Sequence, residues 1–254
     1  GVENAIKAVS GEYKGLLDIA VFGRKEADET SLRERVASDP EMSRAYGGAW
    51  DRIEAAQKAV EARITEFTFR RVRGRKLPSI ADTIVRYVVE ADKPNEKRYE
   101  EFRESALESL RFQLFSPAPI YPDFEEALLA DGLAESAAEL GAQDPWVKAV
   151  LQEKPPADVA IAAIRGTRLA DVEFRKKLVD GGKAAIEACD DPLIRLARRA
   201  DPYYREQRSW FEDTIQSVEV IEGNRIAKAR FASYGKSIYP DATFTLRLSY
   251  GKAA

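Results

Sequence analysis

Several groups of side chains in this sequence have types and spacings that could do chemistry. Asp123, Glu125 and Glu126 could be a carboxylate pair for acid–base work, or ligands for a hard metal ion. They also fall where a helix begins, and acidic side chains suit the positive end of the helix dipole, so capping is the simpler reading. Asp190 and Asp191 read the same way, because Asp191 directly precedes Pro192. Arg70, Arg71, Arg73, Arg75 and Lys76 form the one strong basic cluster, either a phosphate-binding patch or a solvated helix C-terminus. Only Phe67 and Phe69 accompany it, too few aromatics for a base-stacking platform, which favours the second reading. Tyr203, Tyr204, Trp210 and Phe211 could line an aromatic pocket, but their helical spacing makes them core. Cys189 could be a nucleophile, yet nothing in the sequence can activate it and a structural thiol is expected.

The reason is that the chain contains no histidine. No Ser-His-Asp or Cys-His arrangement and no histidine-based zinc site can be built from it. With a single cysteine, no internal disulfide and no cysteine-built metal site can form. Chemistry would have to run on carboxylates, Lys or Tyr, or lie elsewhere, and with the carboxylates read as caps no catalytic residue, metal site or cofactor is expected. The net charge of −3 argues for neither nucleic acid nor an anionic membrane as partner. No apolar run approaches the roughly 20 residues of a membrane span.

The elements that must position these residues read as helices. The 254 residues are 44% hydrophobic and 33% charged, rich in Ala, Glu, Lys, Arg and Leu, which favours amphipathic helix over sheet. Ile6, Val9, Tyr13 and Leu16 predict a first helix ending near Gly23, and Thr30 or Ser31 a cap for a second. Asp39-Pro40 starts a third. It is expected to run unbroken to about Phe69 on a stripe of Trp50, Ile53, Val60, Ile64 and Phe67. Ser79 is the expected cap of the next helix. Asp144, Asp171 and Asp191 are expected caps further on, and a long helix is expected from Pro202 towards Tyr234 with a break at Gly223-Asn224. The proline-rich segment 115–122 predicts a rigid crossover and a boundary between sub-lobes.

One segment breaks the pattern. Phe244, Leu246, Leu248 and Tyr250 alternate with Thr243, Thr245, Arg247 and Ser249, the period of a half-buried strand. A lone strand cannot satisfy its own backbone, so its partner is expected outside this sequence. The expected fold is therefore all-α, a multi-helix bundle of stacked helical hairpins with one orphan C-terminal β-strand.

Residues 239–251 resemble the Tyr-Pro-Asp-Ala-x-x-Thr-Leu-Arg-Leu-x-Tyr-Gly segment of the bacterial serine dipeptidyl aminopeptidases, the group of dipeptidyl-peptidase 7 and dipeptidyl-peptidase 11. At the other end Asn4, Lys7 and Gly11 are similar to that family's Asn-x-x-Lys-x-x-x-Gly pattern, with Leu16 and Arg24-Lys25 following as they do there. The resemblance implies a chymotrypsin-like double β-barrel with a His-Asp-Ser triad, and a large helical domain inserted between the parts that carry the histidine and the serine. On that reading residues 1–236 are the helical cap domain, and residues 237–254 return to a barrel absent from this sequence. The missing histidine fits, because the family's triad lies outside the insert.

The resemblance also implies a role for Asn4, which in the family binds the free N-terminal amine of the substrate. A neutral carbonyl can hold an ammonium without a buried ion pair. The alternative from the residues alone is a helix N-cap. Asp241 and Arg247 are read as turn chemistry and structure. The implied parent enzyme is a periplasmic or secreted serine dipeptidyl peptidase. Its expected partners are a peptide substrate with a free N-terminus and the β-barrel of the same chain, with no nucleic acid and no membrane span. The fragment alone is expected to be inactive. A second reading, from another class, is a self-contained helical scaffold that binds a partner protein.

Overall fold

The computed structural model describes residues 2–17 and 19–235, all of it helix and connecting loop. The all-α expectation holds across this span, and the expected strand at 243–250 lies outside the described residues. The chain divides into two compact units, residues 1–59 with 213–254 and residues 60–212.

In the first unit α1 (Val2–Leu17) and α2 (Ile19–Ser38) occupy the region where a helix ending at Gly23 was expected. Gly23 lies inside α2, as do Thr30 and Ser31, so none of them is a terminus. A single glycine costs a helix about 1 kcal/mol, too little to stop one whose later turns pack. Those turns supply Leu32 and Val36 to a small core with Ala49, Trp50 and Ala229. α3 (Pro40–Tyr46) starts as predicted, with the Asp39 carboxylate accepting from the Glu41 and Met42 amides at 2.8 and 3.1 Å. The expected unbroken helix is instead three. Gly47-Gly48 turns the chain before α4 (Ala49–Glu61), and a turn at residues 62–63 precedes α5 (Ile64–Phe69). α14 (Ser217–Tyr234) packs on α2 and α3 and runs straight through Gly223-Asn224. It ends at Gly235, whose φ of 59° suits a residue without Cβ. Arg52 joins α4 to the buried Glu222 of α14 at 2.7 Å.

The second unit is built around α6 (Leu77–Ala91), which buries Ala81, Ile84, Val85 and Val88. α13 (Pro192–Phe211) packs along it with Leu193, Ile194, Leu196 and Ala197. Pro202 sits inside α13 and does not start it, because Asp191, eleven residues earlier, caps the helix by accepting from the Leu193 and Ile194 amides. A π-helical turn, Glu212–Gln216, separates α13 from α14. Around this axis lie α7 (Glu104–Leu114), α8 (Pro122–Leu140), α9 (Pro145–Leu151), α10 (Pro156–Gly166), α11 (Val172–Asp180) and α12 (Gly182–Glu187). α8 and α10 pack on each other, α10 and α9 on α13, and α11 and α12 on α6. Asp144 and Asp171 cap α9 and α11 as expected.

The proline-rich crossover at 115–122 lies within the second unit. Phe115 and Ile120 pack on the core there. The buried Arg175 of α11 also holds it, donating to the Leu114 and Ser116 carbonyls at 3.0 Å each. The same guanidinium donates to the Leu169 and Ala170 carbonyls, so one side chain ties three segments together.

Candidate functional site

α1 carries the residue expected to touch substrate. Asn4 lies in its first turns, past the N-terminus of the helix as described, so it is not an N-cap. Its side chain is exposed and makes no hydrogen bond to a described residue. Lys7 pairs with Glu3 at 3.2 Å, an exposed contact worth little in water.

A helix turns about 100° per residue, so residues 4, 7, 11 and 15 share one face. That face presents Asn4, Lys7, Gly11 and Gly15. Nothing approaches within 4 Å of where a Cβ would stand at either glycine. Ile6, Val9, Tyr13 and Leu16 share roughly the opposite face. All four are more than 60% exposed, so this apolar stripe has no cover among the described residues. α1 thus displays two unlike faces, one polar and small, the other apolar. The spacing of Gly15 was the available signal for extending the polar face by a turn.

The other chemistry-bearing groups are consumed by structure. Glu125 is buried, and its carboxylate accepts from the Lys76 amide at 2.9 Å, the Leu77 amide at 3.2 Å and the Arg75 amide at 3.3 Å. It caps α6 from a distant helix, so the expected cap Ser79 is displaced; it lies inside α6 and is exposed. Asp123 and Glu126 both pair with Arg165, at 2.5 and 2.6 Å. Glu125 is thus taken up by backbone amides, while Asp123 and Glu126 share one guanidinium, so all three carboxylates serve structure. Asp190 pairs with Arg168 at 3.3 Å. Asp191, besides its capping bonds, accepts from the Thr167 hydroxyl and the Arg168 amide.

Two of the five cations of the basic cluster are paired with carboxylates within the second unit. Arg70 bridges Asp144 and Glu66, Arg73 pairs with Glu135, and Lys76 donates to the Pro119 carbonyl. Arg75 lies over the Phe124 ring at 5.9 Å. The four aromatics do not converge on a pocket. The Tyr203 hydroxyl donates to the Pro145 carbonyl, Tyr204 lies under Arg86 at 3.5 Å, and Trp210 and Phe211 both pack on Phe67. Burial pushes the Cys189 thiol up, away from the thiolate a nucleophile needs. Among the described residues no His/Cys/Asp/Glu group has the spacing of a metal site. No described helix is long and apolar enough to cross a membrane.

Among the described residues, which are helix and loop, the carboxylates and aromatics singled out in the sequence are engaged in packing, capping and ion pairs. The chain matches the Peptidase S46 family over residues 1–254, its whole length, and belongs to that family. The family is one of serine dipeptidyl aminopeptidases, so membership implies that activity, with peptides as substrates, for the protein of which these residues are part.

Proposed function

We propose that residues 1–236 are the helical cap domain of a serine dipeptidyl aminopeptidase. Residues 237–254 return to a chymotrypsin-like β-barrel of the same protein. A serine there, activated by histidine and oriented by aspartate, cleaves the second peptide bond of the substrate. The cap contributes recognition of the substrate N-terminus and closes the cleft against water. The observation that carries this reading is the whole-length family match of a chain with no histidine. Such a chain belongs to a serine peptidase family and cannot hold the family's triad.

α1 supports the division of labour. Its exposed Asn4 has an amide oxygen free to accept from an ammonium, beside a glycine-lined surface that gives a peptide backbone room to approach. Its opposite, apolar face is of the kind that marks a protein contact, and the barrel is the proposed cover. Location in the periplasm or outside the cell is proposed on the family alone.

The test uses the isolated chain and the full-length enzyme. The isolated chain should release no fluorophore from a dipeptidyl substrate, and turnover above a protein-free blank sinks the proposal. In the full-length enzyme Asn4→Ala should lower kcat/KM about 10- to 100-fold, the worth of one hydrogen bond to a charged group. It should also shrink the preference for a free over an acetylated N-terminus. An unchanged preference removes Asn4 from amine recognition.

A further inference from the structure

A small cavity in the second unit plays no part in the function proposed above. It has a volume of about 130 Å³ and lies between α10, α13 and the loop after α9. Its charged lining is Lys154, Arg195 and Arg199, and no carboxylate lines it. None of the three has a carboxylate partner among the described residues.

Three unfavourable features meet at this cavity. Arg195 and Arg199 are like charges four residues apart on α13, which repel on a helix. Arg199 Nε is buried with no hydrogen-bond acceptor, and its Nη2 reaches only the Val150 carbonyl at 3.5 Å. Burial, with Arg195 adding to it, pushes the Arg199 guanidinium down from its ordinary range. The loop bringing Lys154 holds two consecutive non-glycine residues in the left-handed region, Gln152 at φ 51° and Glu153 at φ 63°. Such backbone costs of order 1–3 kcal/mol per residue and persists where its surroundings impose it.

An anion between the three cations relieves two of these features and gives the third a purpose. It screens the Arg195–Arg199 repulsion, offers Nε an acceptor, and rewards the loop that carries Lys154. A planar carboxylate has only two oxygens to share. A tetrahedral oxyanion offers one to each cation, and the cavity has the volume of about four waters, enough for it. We propose that this cavity is a binding site for a phosphate-type oxyanion, gripped by Lys154, Arg195 and Arg199. The source is free inorganic phosphate or the phosphate of a small monoester.

The test is calorimetric titration of the chain with inorganic phosphate in a low-salt chloride buffer, and in parallel with phenyl phosphate and with acetate. Saturable one-to-one phosphate binding is expected, with acetate far weaker. Phenyl phosphate binding as well as phosphate points to a monoester ligand, and phosphate alone binding points to the free ion. Arg199→Gln and Lys154→Gln should each weaken binding about tenfold or more, as loss of a charge-assisted bond requires. Lys154 is exposed in a loop, so that variant keeps the fold and decides the matter even if Arg199→Gln does not fold. Arg71→Gln removes an exposed cation elsewhere and should change nothing. Absence of saturable phosphate binding overturns the proposal. So does equal binding by the Lys154 variant and wild type, or equal weakening by Arg71→Gln.

Discussion

Replacing Glu125 by alanine should unfold the second unit far more readily than loss of an ordinary helix residue. The carboxylate is 2% exposed and accepts three backbone amides that begin α6. Arg75 is exposed, so water can replace its bond. Leu77 is buried and Lys76 half-buried, and alanine leaves both amides short of an acceptor. An unsatisfied buried amide costs about 1–3 kcal/mol, and bonds to a charged acceptor lie at the upper end. Release of the buried charge offsets part of this. The net expectation is a loss of about 3 kcal/mol, or a fall in Tm of about 6–12 °C for a unit of this size. Glutamine keeps one acceptor oxygen but turns an NH2 towards the remaining amide, so Glu125→Gln should lose about half as much. Urea unfolding followed by tryptophan fluorescence reads the effect, since Trp146 is 1% exposed in the same core. Hydrogen exchange at the α6 amides locates it. An alanine variant within about 0.5 kcal/mol of wild type, the range of a neutral surface change, would refute the capping argument.

Arg175→Met should cost about 3–5 kcal/mol, because four carbonyls lose their donor in or near the core. Arg175→Lys should recover less than half of that, since an ammonium lacks the planar fork, and equilibrium denaturation of both variants checks it. Asp82 gives a pH prediction. Burial pushes its carboxyl up to about 6, against the pull of Arg86 and with a further push from Asp201. Between about pH 4 and pH 6 the folded chain then holds a proton that the unfolded chain has released. This group therefore favours folding in acid, and that contribution is lost as the pH rises through 6. Asp82→Asn stays neutral, so stability relative to wild type should rise by about 1–3 kcal/mol from pH 4 to pH 7, read as urea midpoints. A gap that does not change with pH refutes the raised carboxyl.

The helix starts at Asp39, Asp144, Asp171 and Asp191 were legible because each cap is local. The carboxylate that accepts the amides stands two or three residues before them, and at three of the four a proline fixes the first turn. The start of α6 was not legible, because its acceptor, Glu125, is 48 residues from Leu77 along the chain. Pro202 was misread for a related reason. A proline in a helix interior removes one bond and costs about 3 kcal/mol, whereas at the first turn it costs nothing, so Pro202 was placed at a helix start. α13 continues through it because Ala200 and Asp201 are buried, and Asp201 binds both Arg86 and Arg205. The apparent continuity from Asp39 to Phe69 failed in the opposite sense. Its stripe is real, but Gly47-Gly48 and residues 62–63 turn the chain before its period matters.

The amino-acid sequence by itself determined the helical class, the local caps, the lack of a histidine for any triad, and membership of the peptidase family through the motifs at its two ends. These depend on residue types within a few positions of one another, and such interactions survive without knowledge of the fold. Tertiary structure alone decided which charged groups are spent. It turned a carboxylate with catalytic credentials into a helix cap, paired Arg70 and Arg73 of the basic cluster with carboxylates, and left Asn4 displayed on a helix whose apolar back no described residue covers. It also gathered Lys154, Arg195 and Arg199 around one cavity. Partners tens of residues apart meet only when helices pack, and the energy of a charge is set by what it meets there.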